Sequence, residues 1–206
     1  REAAKLATGV RLMPSLEAML ESGLDGLVIA TPSALHAEQA IAALERGVAV
    51  SCQKPLGRNA AEAAAVVDAA RAADRLLGLD LSYRHTAATQ ALAGALGSGE
   101  LGDIYAVDLT FHNAYGPGKA WFYDPKLSGG GCVIDLGVLL VDLALWLLDF
   151  PTVEQVTSRL YSGGQVLAPN SSEVEDYAVA RLDFAGGINA RLACSRRLHA
   201  GREGVI

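Results

Sequence analysis

Cysteine is scarce in this chain of 206 residues: Cys52, Cys132 and Cys194 are odd in number, widely spaced, and form no C-x-x-C pair. That argues against a disulfide framework and leaves reduced core thiols in a reducing, cytoplasmic compartment as the expectation. No Cys/His cluster has metal-ligand spacing, so no metal site is expected. Basic residues are few as well, 17 against 23 acidic ones, for a net charge of −6. Nucleic acid and anionic membranes both call for a basic face, so neither is an expected partner. Long hydrophobic runs are missing: the longest, residues 133–148, carries Asp135 and Asp142 and is short for a bilayer span. No signal peptide, internal repeat or low-complexity segment is visible. What the chain has in quantity is apolar side chains, 51% of the total, enough for one large core or two small ones and incompatible with disorder.

The pattern divides near Leu81, giving expected units over 1–81 and 82–206. In the first, apolar strands at 27–30, 49–52 and 76–81 alternate with helical spacing at 15–22, 35–46 and 60–73, the signature of βαβ units and a parallel sheet. Asn59 reads as the N-cap of the third helix, with Glu62 imitating a capping box. In the second, a helix at about 86–96 precedes strands at 104–111, 153–161, 177–184 and 188–196, the last two joined by a tight turn at Ala185-Gly186-Gly187. These predict an α+β unit, a mostly antiparallel sheet with a helix on one face. Arg1 reads as already helical and Val205-Ile206 as an unfinished strand, so the sequence reads as an internal piece of a longer polypeptide.

Two successive strand ends deliver Thr31, Pro32, His36 and Lys54 to one edge of the parallel sheet, where open α/β sheets bind ligands. A lysine there can hold or release a proton, although a lone Lys-Pro after a strand is ordinarily a surface feature. Further along, Asp135, Leu139 and Asp142 lie at i, i+4 and i+7 on one helix face. On its own Asp135 would stabilise a helix start, and Asp142 would be a hydrogen-bonded packing residue. Trp121-Phe122-Tyr123 would ordinarily be a hydrophobic plug. Gly129-Gly130-Gly131 would let the backbone approach a ligand and leave free N–H groups at the helix start.

The strings VIATPSALHAEQAIAALERGVAVSCQKPLG, from Val28, and WFYDPKLSGGGCVIDLGVLLVDLALWLL, from Trp121, resemble the Gfo/Idh/MocA oxidoreductases. The resemblance implies a partial Rossmann-like parallel sheet followed by the α+β domain, with NAD or NADP as cofactor and a sugar or polyol as substrate. It implies Lys54 and Asp135 as catalytic residues. Thr31, Pro32, His36, Gln53, Lys54, Pro55, Arg84 and Trp121 would face the cofactor, and Lys54, Tyr123, Asp135 and Leu139 the substrate. It also implies a homo-oligomer formed through the open face of the C-terminal sheet. Three departures stand out. The strand, G-x-G-x-x-G turn and helix that open such proteins do not precede Gly9. Gln53 replaces the usual glutamate, and Leu139 replaces the usual histidine and cannot exchange a proton. His112 or Tyr123 is a candidate to compensate. The alternative is a dinucleotide- or sugar-binding regulator that does no chemistry.

Overall fold

The computed structural model describes residues 9–169 and 171–198, so the expectations at both chain ends lie outside the described residues. The first half runs α1 (Leu16–Leu20), β1 (Gly26–Ile29), α2 (His36–Leu44), β2 (Ala49–Gln53), α3 (Ala60–Ala73) and β3 (Leu77–Asp80). Its three strands pair in parallel in chain order, with Ile29 opposite Cys52 and Gln53 opposite Asp80. Helices α2 and α3 cover one face. Ala40, Ala43, Leu44, Val66 and Ala70 pack there with Ile29, Val50 and Cys52. The alanines let the helices lie close together and close to the sheet. The opposite face carries Val28, Ser51 and Gly78 and is open, with Val28 75% exposed.

The cap of α3 forms as expected, but the box is displaced. Asn59 Oδ1 accepts from the Glu62 N–H at 2.9 Å. The Glu62 carboxylate reaches back past Asn59 to the N–H of Arg58 at 2.7 Å and to its guanidinium at 3.0 Å. Arg58 in turn donates to the Lys126 carbonyl at 2.6 Å, tying this helix to the second half of the chain.

That half comprises α4 (Ala87–Gly97), β4 (Ala106–His112), α5 (Pro125–Ser128), a π-helical turn (Val133–Gly137), α6 (Val138–Leu147), β5 (Val153–Ser162), β6 (Gln165–Val166), β7 (Tyr177–Phe184) and β8 (Asn189–Ser195). The sheet order is β4-β8-β7-β5-β6, with β4 and β8 parallel and the other pairs antiparallel. Strand β6 is absent from the sequence reading because it is only two residues long. A Gly163-Gly164 turn, with φ of 56° and 82°, folds it back on β5. The turn expected at 185–187 is present: Gly186 and Gly187 have φ of 88° and 85°, and the Phe184 carbonyl accepts from the Gly187 N–H at 3.2 Å.

One face of this sheet receives the π turn and α6. Leu136, Leu140, Leu143 and Ala144 pack on Leu109, Ala178, Leu182, Phe184, Ala190 and Leu192. The helical stretch Pro125–Leu147 is apolar enough to reach a mean hydropathy of 2.0, and this packing is where its apolar side chains go. Asp142 is the polar exception. A 3-10 turn at Ser82–His85 presents Arg84, whose Nε donates to Asp142 Oδ2 at 2.8 Å while Nη2 donates to Oδ1. The guanidinium also sits 5.9 Å from the Trp146 ring and 5.5 Å from the Phe150 ring. This forked pair fastens the segment between the two sheets to the core helix. Asp142→Ala would leave a half-buried cation unpaired. A loss of about 3 kcal/mol in urea-unfolding free energy is expected, whereas a loss within error would make the latch dispensable.

Candidate active site

Lys54 follows directly on β2, and Asp135 lies in the π turn ahead of α6, 81 residues away. The Lys54 Nζ donates to Asp135 Oδ1 at 2.8 Å and also to the Asp135 backbone carbonyl. The two side chains are 21% and 16% exposed. The pair therefore sits partly out of water and joins the parallel sheet to the core helix of the second sheet. A π turn displaces helix pairing by one residue and often marks a functional position. Here it presents both the carbonyl and the carboxylate of Asp135 to one ammonium. A lysine has three N–H donors, so one remains for a ligand.

The pair lies in a cleft of about 270 Å³. Thr31, His36, Gln53 and Pro55 come from the β1 and β2 ends, and Lys119, Trp121, Phe122 and Ile134 form the other wall. Thr31 Oγ1 donates to Gln39 Oε1 at 2.8 Å. The His36 ring is 2% exposed and spans two backbone carbonyls, with Nδ1 2.6 Å from that of Pro55 and Nε2 2.8 Å from that of Thr31. It ties the loops after β1 and β2 together; both partners are acceptors, so a neutral ring donates to one carbonyl or the other according to its tautomer. Gln53 Nε2 donates to the Asp80 carboxylate at the end of β3. A glutamate at 53 would set two carboxylates against each other, which gives the amide a physical reason. Trp121 stacks on Phe122 at 3.7 Å between ring centroids.

Four residues expected in the site stand elsewhere than on these walls. Arg84 is held by Asp142, and Leu139 is buried at 6% exposure. Tyr123 turns its hydroxyl to the Pro117 carbonyl at 3.0 Å, with Arg196 over its ring. Pro32 opens the 3-10 turn before α2. His112 does not compensate for Leu139: it alternates with Leu109 and Phe111, which face the core, and so lies on the open face of the sheet. There it stacks on Tyr177, and burial pushes its pKa down. Gly97-Ser98-Gly99-Glu100-Leu101-Gly102 has G-x-G-x-x-G spacing, but it follows α4 and leads to β4, the reverse of the strand-to-helix context a phosphate loop needs.

Residues 1–81 match the model of an oxidoreductase family with an NAD-binding Rossmann fold, and residues 89–206 match that of the GFO/IDH/MocA C-terminal domain. The chain belongs to the Gfo/Idh/MocA family. It is 31% identical over 192 residues to D-glucoside 3-dehydrogenase of Escherichia coli (strain K12), covering 88% of this chain and 55% of that protein. Among solved structures, GenD2 from gentamicin A biosynthesis in complex with NAD superposes with a TM-score of 0.88 at 25% identity, over 98% of this chain and 56% of that one. Levoglucosan dehydrogenase in complex with NADH and levoglucosan gives 0.87 at 25% identity, with the same coverage of 98% and 56%. The chain thus spans about half the length of the relatives it matches.

Within this Gfo/Idh/MocA chain the glycine run works differently from the sequence expectation. The Gly131 and Val133 N–H groups are not free for a ligand, because Glu175 Oε1 accepts from both at 2.9 Å. A Cβ on Gly131 would lie 1.9 Å from the Glu175 carbonyl oxygen, so the glycine admits the backbone of the segment before β7 on one side while it lines the cleft on the other. Gly129, at φ 84°, closes α5 in the left-handed region against Arg58. Glu175 and Lys119 escaped the sequence reading, since neither belongs to a recognisable pattern. The cysteines behave as expected. All three are free and buried, Cys52 is pushed up to about 11 by burial, and Cys132 is raised by the neighbouring Cys194 thiol and by burial. Gly131→Ala should cost about 3 kcal/mol of unfolding free energy, as overpacking against an immovable backbone does. An unfolding midpoint equal to the parent's would show that the close approach relaxes freely.

Proposed function

We propose that this chain forms the catalytic cleft of an NAD-dependent oxidoreductase that exchanges a hydride with a hydroxyl or keto carbon of a sugar or polyol. The observation that carries the reading is the Lys54–Asp135 pair, one charged group from each half of the chain, meeting in a cleft between them. The cleft's chemistry fits a nicotinamide: Trp121, Phe122 and Ile134 offer apolar walls, and Thr31, Gln53 and Lys54 offer polar groups at the strand ends. When bound, the nicotinamide supplies or takes the hydride. NAD is favoured over NADP by two similar solved structures, GenD2 in complex with NAD and levoglucosan dehydrogenase in complex with NADH.

In this reading Lys54 gives a proton to the substrate oxygen as a carbonyl is reduced, and takes it back in the oxidative direction. Asp135 holds the ammonium by two contacts and so fixes where the remaining N–H points. The aromatic wall excludes water. A sugar substrate is supported by two relatives, D-glucoside 3-dehydrogenase and levoglucosan dehydrogenase. Lys54→Met should lower turnover at least about a hundredfold while NAD affinity changes by less than about tenfold. Unchanged kcat on a sugar the parent accepts would remove Lys54 from the chemistry. Leu139 favours one other reading, a regulator that binds without turnover, because no second proton-exchanging side chain stands at that helix position. Stabilisation by NAD with no turnover on any sugar or polyol would favour it.

We also propose that the open face of the second sheet docks a second copy of the chain. Its centre is small and apolar, Val179 and Ala193, flanked by the Arg191–Asp108 and Arg181–Asp183 pairs. Together they form a trough of about 700 Å³. Sheet faces of this kind are buried by sheet-on-sheet packing. Sedimentation should show a dimer or larger species, and Val179→Asp should shift it to monomer. A parent that sediments as a monomer at micromolar concentration would contradict this docking.

A further inference from the structure

Glu175 is 6% exposed, stands two residues before β7, and touches neither the cleft nor any side chain of the Lys54–Asp135 pair in the described contacts. A carboxylate so deeply buried is costly unless its charge is met by donors. Its donors are all at one place. Oε1 accepts from the N–H groups of Gly131 and Val133, each at 2.9 Å. The backbone carbonyl of the same residue accepts from the intervening Cys132 N–H at 2.9 Å. Three successive N–H groups are thereby held by one residue 42 to 44 positions away. These are N–H groups at the start of the helix, which have no partner within it. They are also the turn of backbone immediately before Asp135, whose own N–H bonds to the Gly131 carbonyl at 3.1 Å.

The far side of Glu175 is held as well. The Arg196 Nη2 donates to the Glu175 carbonyl and its Nη1 to the Phe122 carbonyl, both at 3.4 Å, and the arginine is 2% exposed. Arg196 thus links the Glu175 anchor to the turn that carries Trp121 and Phe122. Gly131 is obligatory in this arrangement, since any side chain there would collide with the Glu175 backbone.

We propose that Glu175 is a positioning residue for the Lys54–Asp135 pair: by clamping the first N–H groups of the π turn, it sets where the Asp135 carbonyl and carboxylate meet the lysine. The proposal rests on the reading of Lys54 and Asp135 as the proton-handling pair, but its test does not depend on turnover. A neutral oxygen in the same place would clamp the turn as well, whereas a shortened carboxylate would not reach it.

The test is limited acylation of the folded chain by an amine-reactive ester, with Lys54 and Lys126 labelling quantified by peptide mass spectrometry. In the parent Lys54 should react slowly relative to Lys126. Glu175→Ala should raise the Lys54 rate about tenfold, the size expected when a charge-assisted contact is released, with Lys126 unchanged. Glu175→Gln should restore slow labelling, because its amide oxygen accepts from the same two N–H groups. Glu175→Asp keeps the charge and withdraws the acceptor by one methylene, so it should react like the alanine variant; it decides the matter if Glu175→Ala does not fold. Parent-like Lys54 rates in Glu175→Asp, or fast rates in Glu175→Gln, would overturn the proposal. A parent with no turnover on sugars would count against the oxidoreductase reading alone and would leave the labelling result standing.

Discussion

Two sheets of different construction meet at the Lys54–Asp135 contact, which lines the cleft between them. An ammonium at the end of a parallel strand and a carboxylate at the start of a core helix would each prefer water to an apolar junction. Together, with the Asp135 carbonyl as a third participant, they satisfy one another while one lysine donor stays available. Two further links share the junction: Arg58 reaches the Lys126 carbonyl, and Arg84 grips Asp142. All three join a basic residue from residues 54–84 to an acceptor from the helical segment that begins at Pro125.

Two buried polar side chains around the site, His36 and Glu175, are tied to backbone and so fix loop geometry. His36 spans the Thr31 and Pro55 carbonyls, so the two strand-end loops cannot move independently. Glu175 uses its side chain and main chain on successive N–H groups of the Asp135 turn. Gln53, bonded to Asp80, keeps the residue beside Lys54 neutral where a second carboxylate would be repelled.

The leucine at position 139 matters for how much acid–base work this arrangement can do. In the proposed function Lys54 would carry the proton exchange with help from Asp135, and Leu139 places no titratable group one helical turn later. In the same reading the apolar walls of Trp121, Phe122 and Ile134 would keep water from competing with the lysine for a substrate oxygen.

The order of the longer helices and strands was legible from periodicity, because hydrophobic burial on one face leaves its period in the sequence, whereas the short helix at Pro125–Ser128 and β6 left none. The parallel sheet, the helices covering it, the antiparallel strands and the Gly186-Gly187 turn all follow from local pattern and turn chemistry. Lys54 at a strand end and Asp135 at a helix start were equally visible, as were the Asn59 cap and the structural nature of Asp142. What the sequence could not supply depends on groups brought together from far along the chain. A triple glycine reads the same whether its N–H groups are free or already taken, and only the approach of Glu175 shows that those of Gly131 and Val133 are taken. The π turn has no local signature, and His112 and Tyr123 looked like neighbours of the site until strand alternation and the Arg196 contact placed them away from it. Local sequence sets which face of an element is buried. The partners of a buried charge are set by chain segments 42 to 81 residues apart, and those only the folded structure brings within reach.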